Sequence, residues 1–182
     1  MRNKILFINA CARPGSRTEE LSRYLLNELE GEITEINLYK EQLLPLCNEG
    51  IEKRAMNDIP QKESELAKQF ADADIIVIGA PFWDLSFPSV LKIYFENITI
   101  SGITFEYSKG RPVSRCKAEK LYYITTAGGY IGNFNFGFDY VKALAENFFG
   151  IYDVHFYSAE GLDIDGADVK GIMKETEKRI LS

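Results

Sequence analysis

Apolar residues along this chain come in short solid runs, separated by longer stretches of mixed character. The first run, "ILFIN" at residues 5–9, reads as a strand. Residues 19–29 follow as a helix, with Leu21, Leu25, Leu26 and Leu29 spaced to share one face. Residues 33–38 alternate apolar and polar, as a strand near a sheet edge does. Residues 40–62 carry Pro45, Asn48, Gly50 and Pro60 and are expected to be mostly loop, with room for a short helix. A helix at 63–72 and a fully apolar strand at 75–79 come next. Pro88 is expected in the first turn of a helix reaching about Asn97, where its missing N–H does no harm.

The stretch "ISGITFEYSKGRP" is irregular, with a small hairpin in it. Residues 121–126 read as a strand and 127–132 as a glycine-rich turn. Residues 138–149 read as a helix stopped by Gly150. A fifth strand at 152–158 and a last helix at 165–181 complete the chain. Five strands separated by helices, the central ones apolar throughout, predict a parallel sheet covered on both faces. With right-handed crossovers this is one doubly wound α/β domain spanning 1–182, in strand order 2-1-3-4-5. Ligands of such a sheet bind outside the carboxyl ends of its strands, where the order reverses.

Composition removes several alternatives. The 182 residues are 46% hydrophobic and 26% charged, a globular balance. The net charge of −6, without a basic stretch, argues against nucleic acid and against an anionic membrane surface. Three dispersed cysteines suit neither a disulfide framework nor a zinc site, so a reducing compartment, the cytoplasm, is expected. The N-terminal apolar run is short and leads into a turn, unlike a signal peptide. No stretch approaches membrane-spanning length.

Three loops leave the same end of the expected sheet. In "ACARPGSRTEE", Gly15 permits a tight turn and Ser16, Arg17 and Thr18 open a helix, whose free N–H groups can hold a phosphate. Ser16 and Glu19 also have the spacing of a capping box, which satisfies the same N–H groups internally. In "GAPFWDLSFPS", two prolines stiffen a rim that holds the only Trp. Aromatics there are expected to cover a flat apolar ligand or a partner chain, with N–H groups from Phe82 to Leu85 offered to a ring edge. In "TTAGGYIGN", the glycines leave backbone uncovered, so N–H groups can approach a ligand closely, with Tyr130 stacking or capping.

Competing signatures are missing. There is neither G-x-G-x-x-G nor G-x-x-x-x-G-K-[ST]. His155 sits within a strand and reads as structural; Cys11 reads as a small loop residue. A phosphate clamp, an aromatic wall and a glycine ledge together suit a planar phosphorylated cofactor such as FMN.

"APFWDLSFPSVLKIYFENI" followed by "GITFEYSKGRPVSRCKAEKLYYITTAGG" resembles the flavodoxin-like NAD(P)H:quinone dehydrogenases, the FMN-dependent NADH-azoreductases among them. The resemblance implies a flavodoxin-like three-layer sandwich, and FMN bound with its phosphate at Ser16, Arg17 and Thr18. It implies a ring loop at Pro81, Phe82, Trp83, Asp84 and Leu85, and a pyrimidine-side loop at Thr126, Ala127, Gly128 and Gly129, beside Tyr130. It further implies a homodimer with the site at its interface. NADH or NADPH would pass hydride to a quinone-like or azo acceptor in a ping-pong sequence, with the flavin rather than a side chain as the catalytic group. This chain departs from the pattern at Asp84, where the family has Asn, and at Ala10-Cys11, which replaces a Ser-containing pair. The segment after the second strand is also short. Two other readings remain: a flavodoxin-type electron carrier without nicotinamide turnover, and a cofactor-less interaction domain of the same fold.

Overall fold

The computed structural model describes residues 2–181. Strand β1 (Asn3–Asn9) is an interior strand of its sheet, and every residue from Ile5 to Asn9 is buried. Its period-two alternation splits the core. Leu6 and Ile8 point to one face, where α4 (Gln61–Asp72), α5 (Ser89–Ile98) and α6 (Phe136–Leu144) supply Phe70, Leu91, Phe95 and Val141. Ile5 and Phe7 point to the other, against Leu21 and Leu25 of α1 (Arg17–Glu28) and Met173 and Ile180 of α7 (Val169–Ile180). Each large side chain so buried contributes about 1.5–3 kcal/mol. Two cores on one sheet are what solid apolar runs require.

The remaining strands are β2 (Gly31–Asn37), β3 (Ile75–Gly79), β6 (Lys120–Thr126) and β7 (Asp153–Ala159). With β1 they form a five-stranded, all-parallel sheet in the order β2-β1-β3-β6-β7. This is the expected 2-1-3-4-5 order once the separate hairpin of β4 (Phe105–Ser108) and β5 (Arg111–Ser114) is set aside. The order reverses at β1, so the loops after β1 and β3 part on opposite faces and open a cleft.

Several expected boundaries shift. The 40–62 region is more helical than expected: α2 (Leu38–Glu41) and α3 (Asn48–Ala55) occupy much of it. Arg54 pins α3 by donating to the carbonyls of Glu96 and Asn97 and pairing with Glu63 at 2.6 Å. Pro88 stands one residue ahead of α5, as its N-cap, rather than in the first turn. The sixth helix begins at Phe136, capped by the Asn135 side chain, and ends in a π-helical turn over Ala145–Phe149. Gly150 stops it with φ +65°, where an added Cβ would sit 2.8 Å from Ser114 Cβ. Asp168 starts α7 later than expected by accepting the Gly171 N–H. Among the described residues, no helix is long and apolar enough to cross a membrane.

Candidate active site

The loops after β1, β3 and β6 converge, as the strand order requires, and the loop after β7 joins them. Together they line a cavity of about 280 Å³. The first loop supplies Ala12, Arg13, Ser16 and Arg17; the second Pro81, Phe82 and Trp83. The third supplies Thr126, Ala127 and Gly128, and the fourth Leu162 and Asp163. A larger open groove of about 460 Å³ runs along α4 and the starts of β1 and β2. Its lining mixes Lys4 and Lys68 with Glu32, Glu65 and Asp72, so size does not single out the site.

The first loop is held from below. Asn9, fully buried, accepts the Cys11 N–H at 3.0 Å and donates to Glu35 at 2.9 Å. Burial pushes the Cys11 thiol up to about 11, against a smaller lowering by a hydrogen bond with Ser16. That thiol is therefore neutral near pH 7 and acts as a small packing group. The expected capping box does not form. Ser16 is the N-cap of α1, yet its side chain accepts no N–H of the helix, and Glu19 turns instead to Arg23 at 2.6 Å. The first N–H of α1 with an intrahelical acceptor is that of Glu20, bonded to the Ser16 carbonyl. Those of Ser16, Arg17, Thr18 and Glu19 have no acceptor among the described residues. Arg17 pairs with Asp163 at 2.9 Å. Thr18 is fully buried, and its hydroxyl lies 2.7 Å from that of Thr126.

The second loop corrects one expectation. The Phe82 N–H donates to the Thr126 carbonyl at 3.0 Å, and the Trp83 N–H to the Ser86 carbonyl at 2.9 Å. Only Asp84 and Leu85 keep N–H groups without a protein acceptor among the described residues. The reason is a tight turn. Ser86 bonds back to Trp83 at 2.8 Å, and Asp84 and Leu85 take φ +49° and +66°. Both torsions lie in the left-handed region that Asn and Asp tolerate and Leu resists. Asp84 thus suits this backbone as well as the Asn that the resemblance leads one to expect there. Its side chain is exposed and, like Leu85, stands outside the cavity lining.

The third loop is built from main chain. The carbonyls of Ala127, Gly128 and Gly129 accept the N–H groups of Leu162, Asp163 and Gly161, at 3.2, 2.9 and 2.9 Å. In a trans peptide the N–H points opposite to its C=O. The N–H groups of Gly128, Gly129 and Tyr130 are therefore turned away from residues 161–163. None of the three has an acceptor among the described residues. Glu160 fastens the loop's end: one carboxylate oxygen accepts the Ile131 N–H at 3.0 Å, the other the Ser158 hydroxyl at 2.7 Å. A Cβ on Gly128 would lie 2.5 Å from Asp163 Oδ2, whereas one on Gly129 would meet open space. Tyr130 packs over Gly161 and, with Gly129, stands at the rim rather than in the lining. His155 lies away from the cavity, its ring stacked 5.0 Å from that of Tyr122.

The loop after β7 was not anticipated, nor were Ala12 and Arg13. The strand-end rule that picked the other three loops applies equally to "GLDIDG", residues 161–166, and would have found Asp163.

The chain matches a family model described as flavodoxin-like fold over residues 3–182. The chain belongs to the flavodoxin-like fold family. Within it, this flavodoxin-like chain is 37% identical over 190 residues to an FMN-dependent NADH:quinone oxidoreductase of Lachnoclostridium phytofermentans, covering 97% of this chain and 96% of the relative. It is 36% identical to FMN-dependent NADH:quinone oxidoreductase 2 of Clostridium acetobutylicum, covering 96% and 94%. Among solved structures it is similar to an FMN-dependent NADH-azoreductase from Bacillus anthracis in complex with FMN. That match has a TM-score of 0.84 and 26% identity, with coverage of 98% and 96%. The resemblance carried by residues 79–129 is borne out by these matches.

Proposed function

We propose that this flavodoxin-like chain is an FMN-dependent oxidoreductase that passes hydride from NADH or NADPH to a quinone-like or azo acceptor. The observation that carries the reading is the donor set around one cavity: unpaired N–H groups on Ser16 and Arg17, which line it at the start of α1, that of Gly128 on the opposite side, and those of Gly129 and Tyr130 at its rim. Anion binding at a helix start needs the first. Negative charge developing on a planar ring is stabilised by the last, as in an oxyanion hole. The relatives carrying FMN in their names match nearly the whole chain.

FMN would supply a two-electron carrier that accepts hydride from the nicotinamide and yields it to the acceptor. The chain's own residues bind and orient. Ser16 and Arg17 take the phosphate end. Pro81, Phe82 and Trp83 would form the wall, and the free N–H groups of Asp84 and Leu85 would stand at the rim beyond it. Thr126, Ala127, Gly128 and Gly129 form the ledge on the opposite side, and Tyr130 caps the rim. Donor and acceptor use one opening in turn, which gives the ping-pong order.

A second copy of the chain completes the site in this reading. The cavity of about 280 Å³ falls just below the usual range of ligand sites, about 300–1,000 Å³. Trp83, Leu85, Tyr130, Phe134 and Phe136 remain exposed around it. Such a rim is the kind of apolar patch that a homodimer covers.

The test is spectroscopic. Purified protein, supplied with FMN, should show bound-flavin absorbance that bleaches with NADH or NADPH under anaerobic conditions and returns with a benzoquinone. No flavin uptake overturns the reading. Uptake without bleaching by either nicotinamide leaves an electron carrier.

A further inference from the structure

The two edges of the sheet end differently. Lys4 donates its N–H to the Asp74 carboxylate and accepts the Asp74 N–H, and Ala10 donates to the Gly79 carbonyl. The even-numbered residues of β1 therefore turn their backbone groups toward β3, and the odd-numbered ones toward β2. Ile5 stands level with Ile33, so its N–H and C=O reach Glu32 and Thr34. The N–H and C=O groups of Gly31, Ile33 and Glu35 are left pointing out of the sheet. None of them has a protein partner among the described residues. On β7 the outward set includes Ser158, whose carbonyl accepts from Arg179 at 2.6 Å and Thr176 at 3.4 Å. Helix α7 thus caps that edge, and the β2 edge is open.

The β2 edge also lacks a proline or a bulge to prevent pairing. Its register with β1 runs unbroken from Gly31 to Asn37, and Ile33 is 45% exposed. We infer that β2 docks a second copy of this chain, the two β2 strands running antiparallel about a two-fold axis at Ile33. Charge and hydrogen bonding select that register. An axis at Glu32 or Glu35 sets a carboxylate against its own copy, which is unfavourable. An axis at Thr34 sets Ile33 against a glutamate. At Ile33 the two exposed isoleucines pack on each other and Glu32 faces Thr34. Glu35 faces Gly31 and stays with its own Arg23. Every outward N–H and C=O of residues 31, 33 and 35 then finds a mate. The groove of about 460 Å³ on the α4 side of this edge is self-complementary. Lys4, Lys68, Glu32 and Glu65 line it without ion-pair partners among the described residues, and the axis brings the acids of one copy toward the lysines of the other. Such a contact between like patches closes on itself. It shares no residue with the aromatic rim and does not rest on the flavin reading.

The experiment compares wild type, Ile33→Pro and Ile33→Lys by light scattering across a dilution series and by amide hydrogen exchange. The N–H that proline removes at residue 33 is not bonded to β1, so Ile33→Pro keeps the sheet and loses only the edge. Ile33→Lys keeps the N–H but sets like charges together at the axis. Both variants should contain half as many subunits per particle as wild type. The Glu35 amide should be protected in wild type and lose that protection in both variants, while Thr34 and Ile36, bonded to β1, stay protected throughout. Equal subunit numbers in all three proteins, or fast exchange at Ile33 and Glu35 in wild type, overturn the inference. Should Thr34 lose protection in Ile33→Pro, that variant has parted from β1, and Ile33→Lys with the wild-type exchange pattern decides.

Discussion

Arg17 and Asp163 face each other at 2.9 Å, joining the helix start after β1 to the loop after β7. The pair is solvent-accessible, with side chains 34% and 71% exposed, so its worth to the fold is small, about 0–1 kcal/mol. Its effect on an anion is larger. Asp163 occupies the guanidinium that a phosphate would use and adds a negative charge beside it. Asp163→Asn should therefore tighten FMN binding about threefold, a gain of roughly 0.7 kcal/mol, and leave the urea midpoint nearly unchanged. A titration in which FMN binds more weakly to the variant would show that Asp163 serves the ligand rather than opposing it.

Glu160 has no basic partner among the described residues, and both its oxygens accept. Glu160→Ala leaves the buried Ile131 N–H without an acceptor, which should cost about 1–3 kcal/mol in urea unfolding. Glu160→Gln can accept from Ile131 and donate to Ser158, so it should stay within about 0.5 kcal/mol of wild type. Equal losses in both variants would point to the charge itself and against the clamp.

Leu85 at φ +66° carries strain that glycine would not. Leu85→Gly should stabilise the ligand-free chain by up to about 1 kcal/mol, a rise of roughly 2–4 °C in Tm. It should also weaken flavin binding, because an apolar rim side chain is lost. A lower Tm would mean that burial of Leu85 outweighs its torsion.

The three cysteines should separate by rate. Cys47 is exposed and should react with a thiol reagent at once near pH 8, the partly buried Cys116 more slowly, and the buried Cys11 only after unfolding. Burial pushes the Cys11 and Cys116 thiols up from 9.0 to about 11 and about 12. The unfolded chain therefore loses these protons first as pH rises past 9. The stability due to the neutral buried thiols is complete below that and declines up to pH 11–12. Replacing Cys11 by Ala should flatten that decline, as read from urea midpoints between pH 8 and 11.

The strands were legible because a strand buried on both faces must be apolar throughout, as residues 75–79 are. Helix α3 was not, since it buries no side chain and leaves no apolar stripe. What fixes it is Arg54 reaching carbonyls of α5 some forty residues away, a contact without sequence periodicity. The three loops were found from strand ends, aromatics and glycines. Their hydrogen bonds were not. Ser16 and Glu19 have capping-box spacing, but Arg23, one turn further along the same helix and also bonded to Glu35 of β2, draws Glu19 away. The Phe82 and Trp83 amides looked available until the turn at Asp84 and Leu85 and the Thr126 carbonyl claimed them.

The ledge at residues 128–130 owes its chemistry to amides whose direction is set by bonds on their far side. Among residue replacements only proline deletes such a group; otherwise a change in chain length or torsion is needed. On the proposed reading, the end of the pocket that would face the flavin ring is therefore insulated from most point mutation, whereas the aromatic rim is built from side chains and is open to it. On that reading, varying the rim would sample new acceptors while the ledge is kept.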